Sequence, residues 1–321
     1  MSTLRTAVIG AGYLGRFHAQ KYAALPGAEL VAVVDADAER AAAVAGEVGC
    51  EALTDHRDLI GRVDAVSVVV PTRLHHEVAM AMLQAGIHVL VEKPITATLP
   101  EAQALVDTAT AKNLRLQVGH LERFNPAVQD LSKRIDGPLF IESHRLAPFN
   151  PRGADVSVVL DLMIHDIDII LTLVGQPLSR IDANGVPVIS DDIDIANARL
   201  QFENGCVANV TASRVSQKSE RKMRLFQPSA YIALDFQARS LDIRRKGGGE
   251  QHPGISDILS EQVTFDTGDA LLSEIEAFLI SVREGSRPIV SGDDGLQALA
   301  TAMEIGRLLR SNPLLNRMME K

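Results

Sequence analysis

The sequence lacks tryptophan and is poor in aromatic residues, which make up 4% of its 321 residues. Two cysteines, Cys50 and Cys206, are too few for a disulfide framework, and this scarcity favours a reducing compartment. Because hydrophobic residues still reach 46%, the core must be built from aliphatic side chains. A chain of this length favours two domains and excludes a small stapled scaffold.

Positive charge is in the minority, with 32 Lys and Arg against 41 Asp and Glu, for a formal charge of −9. Such a charge repels nucleic acid and anionic lipid unless a local basic patch overrides it. We therefore expect no nucleic-acid partner, and any anionic ligand needs its own cluster of basic side chains.

Long uninterrupted hydrophobic runs are also missing. The most apolar stretch, 158–175, contains Asp161, His165, Asp166 and Asp168, and four ionisable groups argue against a membrane span. The first residues resemble a structural strand over 6–10 and do not resemble a signal peptide. We expect a cytoplasmic protein without membrane insertion.

Residues 6–120 alternate short apolar runs with helical patterns. The predicted strands are 6–10, 29–35, 65–70, 87–92 and 114–119, and the predicted helices begin near 14 and span 38–48, 74–85 and 99–112. This alternation predicts βαβ units, and hence an α/β domain with a doubly wound parallel sheet of the Rossmann type.

The pattern changes after residue 120, where Asn125-Pro126 has the residues of a helix start. We therefore predict a dinucleotide-binding domain over 1–121 and an α+β domain over 122–321 for substrate binding and oligomerisation. The second domain is expected to contain an open, mostly antiparallel sheet. An alternative for its last helix is to pack on the first domain. The predicted segments are a strand near 139–146, a helix over 157–174, strands over 192–202, 206–214, 221–226, 230–236 and 239–244, a flexible loop over 246–255, and helices over 269–284 and 293–310.

A glycine motif, Gly10-Ala11-Gly12-Tyr13-Leu14-Gly15, follows the first strand and opens the first helix. In that context the glycines allow a tight turn, close approach of a pyrophosphate and close helix packing. Asp35 ends the second strand, where a carboxylate accepts hydrogen bonds from ribose hydroxyls and repels a 2′-phosphate. The motif therefore predicts NAD in preference to NADP, although the nearby Arg40 weakens this preference. The alternative is a tight turn without a ligand.

The roles of two further groups of residues are not decided by those residues alone. Glu92-Lys93-Pro94 ends the strand 87–92, at the edge where open α/β sheets bind ligands, but alone it is typical of a solvated strand end. Asp161, His165 and Asp168 share one face of the apolar helix. That face could hold a divalent metal, although no further ligands are evident. It could also form a structural polar network, or use His165, oriented by Asp161, as the base that accepts a hydroxyl proton.

Together with 71–77 and 86–94, these motifs resemble the Gfo/Idh/MocA family of sugar and inositol oxidoreductases. The resemblance implies Lys93 and His165 as a catalytic pair, Asp161 as an orienting or substrate-contacting acid, and no catalytic metal. It also implies a second-domain sheet that is buried against another subunit in a homodimer or homotetramer. The residues implied in NAD binding are Gly10, Gly12, Tyr13, Leu14, Gly15, Asp35, Pro71, Thr72, His75, Glu92 and Lys93.

A narrower resemblance involves 120–126, 143–153 and 161–168, which are similar to UDP-N-acetylglucosamine 3-dehydrogenases that begin synthesis of a lipid A diamino sugar. It implies NAD-dependent oxidation of a nucleotide sugar at its 3-hydroxyl, with arginines holding phosphate. The alternatives are a dehydrogenase of a free sugar or inositol, an NAD-using glycoside hydrolase, and a dinucleotide-sensing binding module. The residues implied in substrate binding are Arg123, Asn125, Arg145, Arg152, Asp161 and His165.

Overall fold

The computed structural model describes residues 3–150 and 156–311, which form two compact units. The first unit contains the described residues up to Phe124 together with Asp269–Gln297. The second contains the described residues of Asn125–Gly268 together with those from Ala298 onward. Each unit has its own sheet and its own aliphatic core.

The first unit contains a parallel sheet, as the alternating pattern predicts, but it has six strands where five were predicted, because the short strand over 51–53 was missed. Its strands are β1 (Leu4–Ile9), β2 (Ala28–Val34), β3 (Glu51–Leu53), β4 (Ala65–Val68), β5 (His88–Glu92) and β6 (Leu116–Gly119). Four of its helices are α1 (Tyr13–Ala24), α2 (Ala38–Val48), α3 (His75–Gln84) and α4 (Leu99–Ala111). The strand order β3-β2-β1-β4-β5-β6 reverses direction between β1 and β4, which is the switch point where Rossmann folds bind ligands.

A later segment of the chain completes the first unit. Helix α7 (Ala270–Glu284) buries Ile275, Phe278 and Leu279 in the same core as Ala19 and Tyr22 of α1. This differs from the expected division, in which 122–321 forms one uninterrupted second domain. An amphipathic pattern shows that a helix has an apolar face, but it does not show which core that face joins.

The second unit contains an eight-stranded, mostly antiparallel sheet. Its strands are β7 (Phe140–Leu146), β8 (Leu178–Val186), β9 (Ile195–Phe202), β10 (Val207–Ser213), β11 (Glu220–Gln227), β12 (Ala230–Asp235), β13 (Ser240–His252) and β14 (Ile255–Thr264). The order is β14-β13-β12-β11-β7-β10-β9-β8, and the β7–β10 pair is parallel. Its helices are α5 (Pro126–Ser132), α6 (Ile164–Val174) and the part of α8 (Gly292–Arg310) from Ala298 onward.

One face of this sheet forms the core of the second unit. Alanines at alternate positions of β9 and β10 are buried and share a core with Ile164, Ile167 and Ile170 of α6. Their small side chains let the helix backbone approach the sheet closely. The helix that carries the predicted catalytic histidine is therefore fixed by a packed core.

Two segments of the second unit differ from the sequence prediction. The glycine-rich stretch expected as a loop over 246–255 belongs to strands β13 and β14, which pair on both sides of a turn near Gly254. Register shifts between Lys246 and His252 accommodate the glycines as bulges, a deviation that alternation in sequence does not reveal. Strand β8 was also not predicted.

Among the described residues, no helix has both the length and the apolar character that a membrane span requires. Cys50 and Cys206 are both free thiols.

Candidate active site

Glycines shape the turn that follows β1. Gly10 has φ of +106°, and a Cβ there would collide with the carbonyl oxygen of Val69. A Cβ on Gly15 would collide with the carbonyl oxygen of Gly10. By contrast, apart from Gly12 itself, its chain neighbours and the backbone of α1, no heavy atom of the described residues lies within 4 Å of the Cβ position of Gly12. Packing therefore requires the first and third glycines, while Gly12 leaves the N-terminus of α1 open to a ligand.

A cleft of about 760 Å³ opens at this turn, within the first unit. Its lining includes ten of the eleven residues implied in NAD binding: Gly10, Gly12, Tyr13, Leu14, Asp35, Pro71, Thr72, His75, Glu92 and Lys93. The eleventh, Gly15, is buried. The cleft lies at the switch point of the sheet and combines an open helix N-terminus with a carboxylate at the end of β2, which is the arrangement that fits a dinucleotide.

Asp35 also holds the glycine turn in place. Its Oδ2 atom accepts a hydrogen bond from the backbone N–H of Ala11 at 2.8 Å. Its Oδ1 atom accepts from the backbone N–H of Asp37 at 2.9 Å and from the Arg40 guanidinium at 3.0 Å. Arg40 therefore partly neutralises the carboxylate that the sequence interpretation used to exclude NADP.

His75 braces the chain that follows Lys93. Its Nδ1 and Nε2 atoms each lie 2.9 Å from a backbone carbonyl oxygen, that of Pro94 and that of Val70 respectively. The Lys93–Pro94 bond is cis. Burial lowers the pKa of His75, although the two carbonyl groups oppose this shift. The ring lines the cleft, but both nitrogens face the backbone, which favours a structural role over the implied cofactor contact.

Glu92 supports Lys93 from within the same unit. Its Oε1 atom lies 3.1 Å from Nε2 of His18, and its Oε2 atom accepts from the backbone N–H of Lys93 at 3.3 Å. Burial raises the pKa of Glu92, but the hydrogen bonds from His18 and from the backbone of Lys93, with the charge of Lys93, outweigh it and lower that pKa. The Lys93 side chain itself is half-buried and lines the cleft.

A group of buried polar residues behind β5 was not predicted. Nδ1 of His18 lies 3.1 Å from the Ser67 hydroxyl, which lies 2.9 Å from the Tyr22 hydroxyl. The acceptor atoms of His18, Glu92 and Glu274 lie within 4.8 Å of one another, and we call these three residues the buried acid cluster. One signal was present in the sequence, because Glu274 precedes Phe278 by one helical turn on the apolar face of α7.

The predicted catalytic helix begins with a wide turn. Residues Val159–Met163 form a π-helical turn, which continues directly into α6, and such turns are frequent at functional sites. Asp161 and His165 are half-buried, whereas Asp168 is buried. Among the described residues, the buried acid cluster is the grouping of His, Cys, Asp and Glu with metal-ligand spacing, and it includes neither Asp161 nor His165.

Arg145 lies inside the second unit and pairs with an aspartate that the sequence analysis did not select. Its Nε and Nη2 atoms donate to the two oxygens of Asp166 at 2.8 and 3.1 Å. The side chains of Arg145 and Asp166 are 3% and 1% exposed, and the guanidinium lies 5.2 Å from the ring centre of Phe236. This burial argues against the implied phosphate contact. The ion pair joins the helix to β7 through Asp166, which is not a member of the predicted polar stripe of Asp161, His165 and Asp168.

The other implied substrate residues occupy different positions. Arg123 is half-exposed in the 3₁₀ turn Leu121–Phe124 of the first unit. Asn125 caps α5 through the N–H of Ala127 and donates to the carbonyl oxygen of Phe236 at 3.1 Å, so its amide has structural partners. Arg152 lies outside the described residues.

The chain matches two family models. Residues 4–120 match an oxidoreductase family with an NAD-binding Rossmann fold, and residues 140–232 match the GFO/IDH/MocA C-terminal domain. These regions correspond to the six-stranded sheet and to the first part of the eight-stranded sheet.

Individual proteins resemble the chain over nearly its whole length. A UDP-N-acetylglucosamine 3-dehydrogenase of Acidithiobacillus ferrooxidans is 44% identical over 95% of this chain and 97% of its own. A crystal structure of that enzyme covers 97% of this chain and 99% of its own, with a TM-score of 0.90. An inositol 2-dehydrogenase of Rhizobium meliloti is 28% identical over 94% of this chain and 95% of its own.

A scyllo-inositol dehydrogenase of Lactobacillus casei, solved with bound NAD(H), has a TM-score of 0.80 over 97% of this chain and 98% of its own. At 22% identity it shows a shared fold. The glycine turn, the cleft at the switch point and these matches agree, and the chain belongs to the Gfo/Idh/MocA family of NAD-dependent oxidoreductases.

Proposed function

We propose that this protein oxidises the 3-hydroxyl group of UDP-N-acetylglucosamine to a ketone, with NAD as the oxidant. The observation that carries the proposal is the 44% identity, over 95% of the chain, to a dehydrogenase of that name. Two inositol dehydrogenases are 28% and 29% identical to the chain. A nucleotide sugar is therefore favoured over an inositol, and a role in making the diamino sugar of lipid A belongs to the same proposal.

The first unit binds the cofactor in this proposal. Backbone N–H groups at the start of α1, exposed beside Gly12, receive the pyrophosphate, and the Asp35 carboxylate accepts hydrogen bonds from ribose hydroxyls. Bound NAD supplies the hydride acceptor. The charge of Asp35 favours NAD over NADP, and its bond to Arg40 reduces that preference without removing it.

Oxidation of a secondary alcohol removes a hydride from carbon and a proton from oxygen. We assign the proton to His165 as general base, with Asp161 orienting the ring or contacting substrate. The ammonium group of Lys93 stabilises the negative charge that develops on the substrate oxygen. These assignments rest on the family resemblance and on the half-buried position of each side chain.

The diphosphate of the substrate requires a guanidinium that is accessible. Arg145 is buried against Asp166 and does not meet this requirement. We therefore propose Arg123, which is half-exposed, as a phosphate contact, and we retain Arg152 on the basis of the resemblance alone.

The experiment that tests the proposal compares substrates in the presence of NAD. Purified protein is incubated with UDP-N-acetylglucosamine, free N-acetylglucosamine or myo-inositol, and NADH formation is followed together with the mass of the product. We expect NADH and a product lighter by two hydrogens with the nucleotide sugar, and competitive inhibition by UDP.

Other outcomes would replace the proposal. NADH formed from inositol but not from the nucleotide sugar would make the protein an inositol dehydrogenase. Release of UDP without net NADH would indicate a hydrolase, and tight NAD binding without turnover on any substrate would indicate a binding module.

We also propose that the protein is a homodimer or homotetramer formed through the second-unit sheet. The β13–β14 hairpin is exposed along its distal half and carries three exposed apolar side chains, Ile255, Ile258 and Leu259. Phe226, also exposed, forms aromatic contacts with Phe140 and Tyr231 on the same sheet. Exposed apolar side chains grouped on one sheet are more typical of a subunit interface than of a free surface. We keep the cytoplasm as the proposed location, since both thiols are free.

A further inference from the structure

The buried acid cluster places two carboxyl groups together in the first unit. Glu274 of α7 is completely buried, and Glu92 is at the end of β5. Their nearest acceptor atoms lie within 4.8 Å of each other. Two carboxylates at this distance, one completely buried and the other 16% exposed, repel each other strongly if both are ionised. One of them is expected to carry a proton.

The hydrogen bonds show which carboxyl group is ionised. Glu92 accepts from the backbone N–H of Lys93, and its other oxygen lies 3.1 Å from Nε2 of His18. A consistent direction runs from the Tyr22 hydroxyl to Ser67, from Ser67 to Nδ1 of His18, and from Nε2–H of His18 to Glu92. This chain ends on a carboxylate that accepts at both oxygens, which is the ionised form.

Glu274 has the opposite surroundings. Neither of its carboxyl oxygens has a hydrogen-bond partner among the described residues, although its backbone carbonyl accepts from the Gln117 side chain. Burial, and secondly the charge of Glu92, raise the pKa of Glu274 well above the ordinary carboxyl range. An ionised carboxylate without a donor costs far more free energy in such a place than a neutral acid does.

The groups that face Glu274 come from several elements. His18 and Tyr22 belong to α1, Glu92 and the adjacent Lys93 belong to the end of β5, and the neutral Gln117 belongs to β6. The 3₁₀ turn Leu121–Phe124, which packs on α7, carries Glu122 and Arg123 at half-exposed positions.

We propose that Glu274 is a positioning residue of the active site: its buried carboxyl group keeps a proton at neutral pH, so that Glu92 stays ionised and holds the backbone N–H of Lys93. The proton on Glu274 follows from the first unit alone. Its consequence for turnover rests on the proposed function, in which Lys93 acts on the substrate oxygen. Glu274 acts through Glu92 and does not touch the substrate.

The proton is tested by the pH dependence of unfolding. An acid with a raised pKa in the folded state contributes stability that is fully present below the pKa of the unfolded chain and is lost as pH rises toward the folded pKa. Glu274→Gln cannot titrate, so its stability relative to the unmutated protein should increase as pH rises from 4 to about 8. Glu276→Gln, on the exposed side of the same helix, is the matched control and should show no such slope.

The positioning role is tested by turnover. Ionisation of Glu274 at high pH sets a second negative charge against Glu92, so kcat of the unmutated protein should fall there. Glu274→Leu removes the group that ionises, and this alkaline limb of the kcat profile should disappear, with a much smaller change in KM for NAD. Glu274→Gln, which also cannot ionise, should lose the same limb.

Each contrary result overturns one part of the proposal for Glu274. Parallel stability curves for Glu274→Gln and Glu276→Gln would show that Glu274 holds no proton. Bound divalent metal that is lost in Glu274→Gln would show that a cation, and not a proton, balances the two carboxylates. Equal kcat profiles for Glu274→Leu and the unmutated protein would exclude the positioning role. If Lys93→Ala keeps full turnover, the proposed use of Lys93 fails, while the stability curves still report the proton.

Discussion

At the scale of single residues, Asp35 has a structural contact and a proposed role in cofactor choice. Its carboxylate fastens the glycine turn through Ala11 and stands at the end of β2, where an adenosine ribose is recognised. The Nη2 atom of Arg40 lies 3.0 Å from Oδ1 of Asp35. Without the Asp35 carboxylate, this guanidinium is expected to attract the 2′-phosphate of NADP. We therefore expect cofactor preference to depend on this pair and not on Asp35 alone.

Asp35→Ser should weaken NAD binding and strengthen NADP binding relative to it, because the variant loses the charge repulsion and releases the Arg40 guanidinium from one of its two carboxylate partners, Asp35 and Asp37. We expect the ratio of kcat/KM for NAD over NADP to fall by about tenfold or more, the equivalent of roughly 1.4 kcal/mol. Asp58→Ser, an exposed carboxylate in the same unit, removes the same charge and should leave the ratio unchanged. An unmutated protein that uses both cofactors equally would contradict the role given to Asp35.

His165 is the residue on which the proposed chemistry depends. His165→Ala should lower kcat by about a hundredfold or more, the range for loss of a general base, with little change in NAD affinity. In the unmutated protein, kcat should rise with pH while the imidazole loses its proton and then become constant. The measurements are steady-state rates across pH and NAD binding by fluorescence.

A matched control keeps that result interpretable. His252→Ala removes an exposed histidine of the β13–β14 hairpin and should leave kcat unchanged. The melting temperature of His165→Ala should stay close to that of the unmutated protein. Normal turnover in His165→Ala, or loss of activity only through unfolding, would leave the polar stripe of this helix with a structural role.

At the scale of elements, the ion pair between Arg145 of β7 and Asp166 of α6 joins a sheet to the helix that carries His165. Because both side chains are buried, removal of the cation leaves an uncompensated buried charge. Arg145→Ala should therefore lower the free energy of unfolding by about 3–5 kcal/mol.

The exposed pair of Arg180 with Asp182 provides the comparison for Arg145. Arg180→Ala should lower the free energy of unfolding by no more than about 1 kcal/mol, because water screens that pair. Denaturant unfolding of both variants measures the difference. If Arg145→Ala instead keeps full stability and loses only affinity for UDP, the arginine contacts phosphate after all.

At the scale of the whole molecule, the assembly is the property to test. Ile258→Glu places a charge among the exposed apolar residues of the β13–β14 hairpin and should shift the protein toward monomer, measured by light scattering after size exclusion. Ile60→Glu alters an exposed isoleucine of the first unit and should leave the mass unchanged. A monomeric unmutated protein, or an oligomer that resists Ile258→Glu, would exclude this surface as the main interface.

The sequence by itself determined the features that follow local rules. Period-two and period-3.6 patterns located most strands and helices, and they indicated a parallel sheet followed by a mostly antiparallel one. The glycine turn and Asp35 could be placed because each is adjacent in sequence to the end of a predicted strand. The same holds for Lys93 at the end of β5, and ten of the residues implied in NAD binding line one cleft.

Tertiary structure alone decided what depends on residues distant in sequence. His18, Glu92 and Glu274 meet because three elements pack together, and an apolar pattern does not say which helix covers which strand. For the same reason the sequence did not show that Asp269–Gln297 returns to the first unit. Nor did it show that Arg145 pairs with Asp166 inside the second unit. Burial and pairing of charges are set by the folded neighbours of a residue, and these are not its neighbours along the chain.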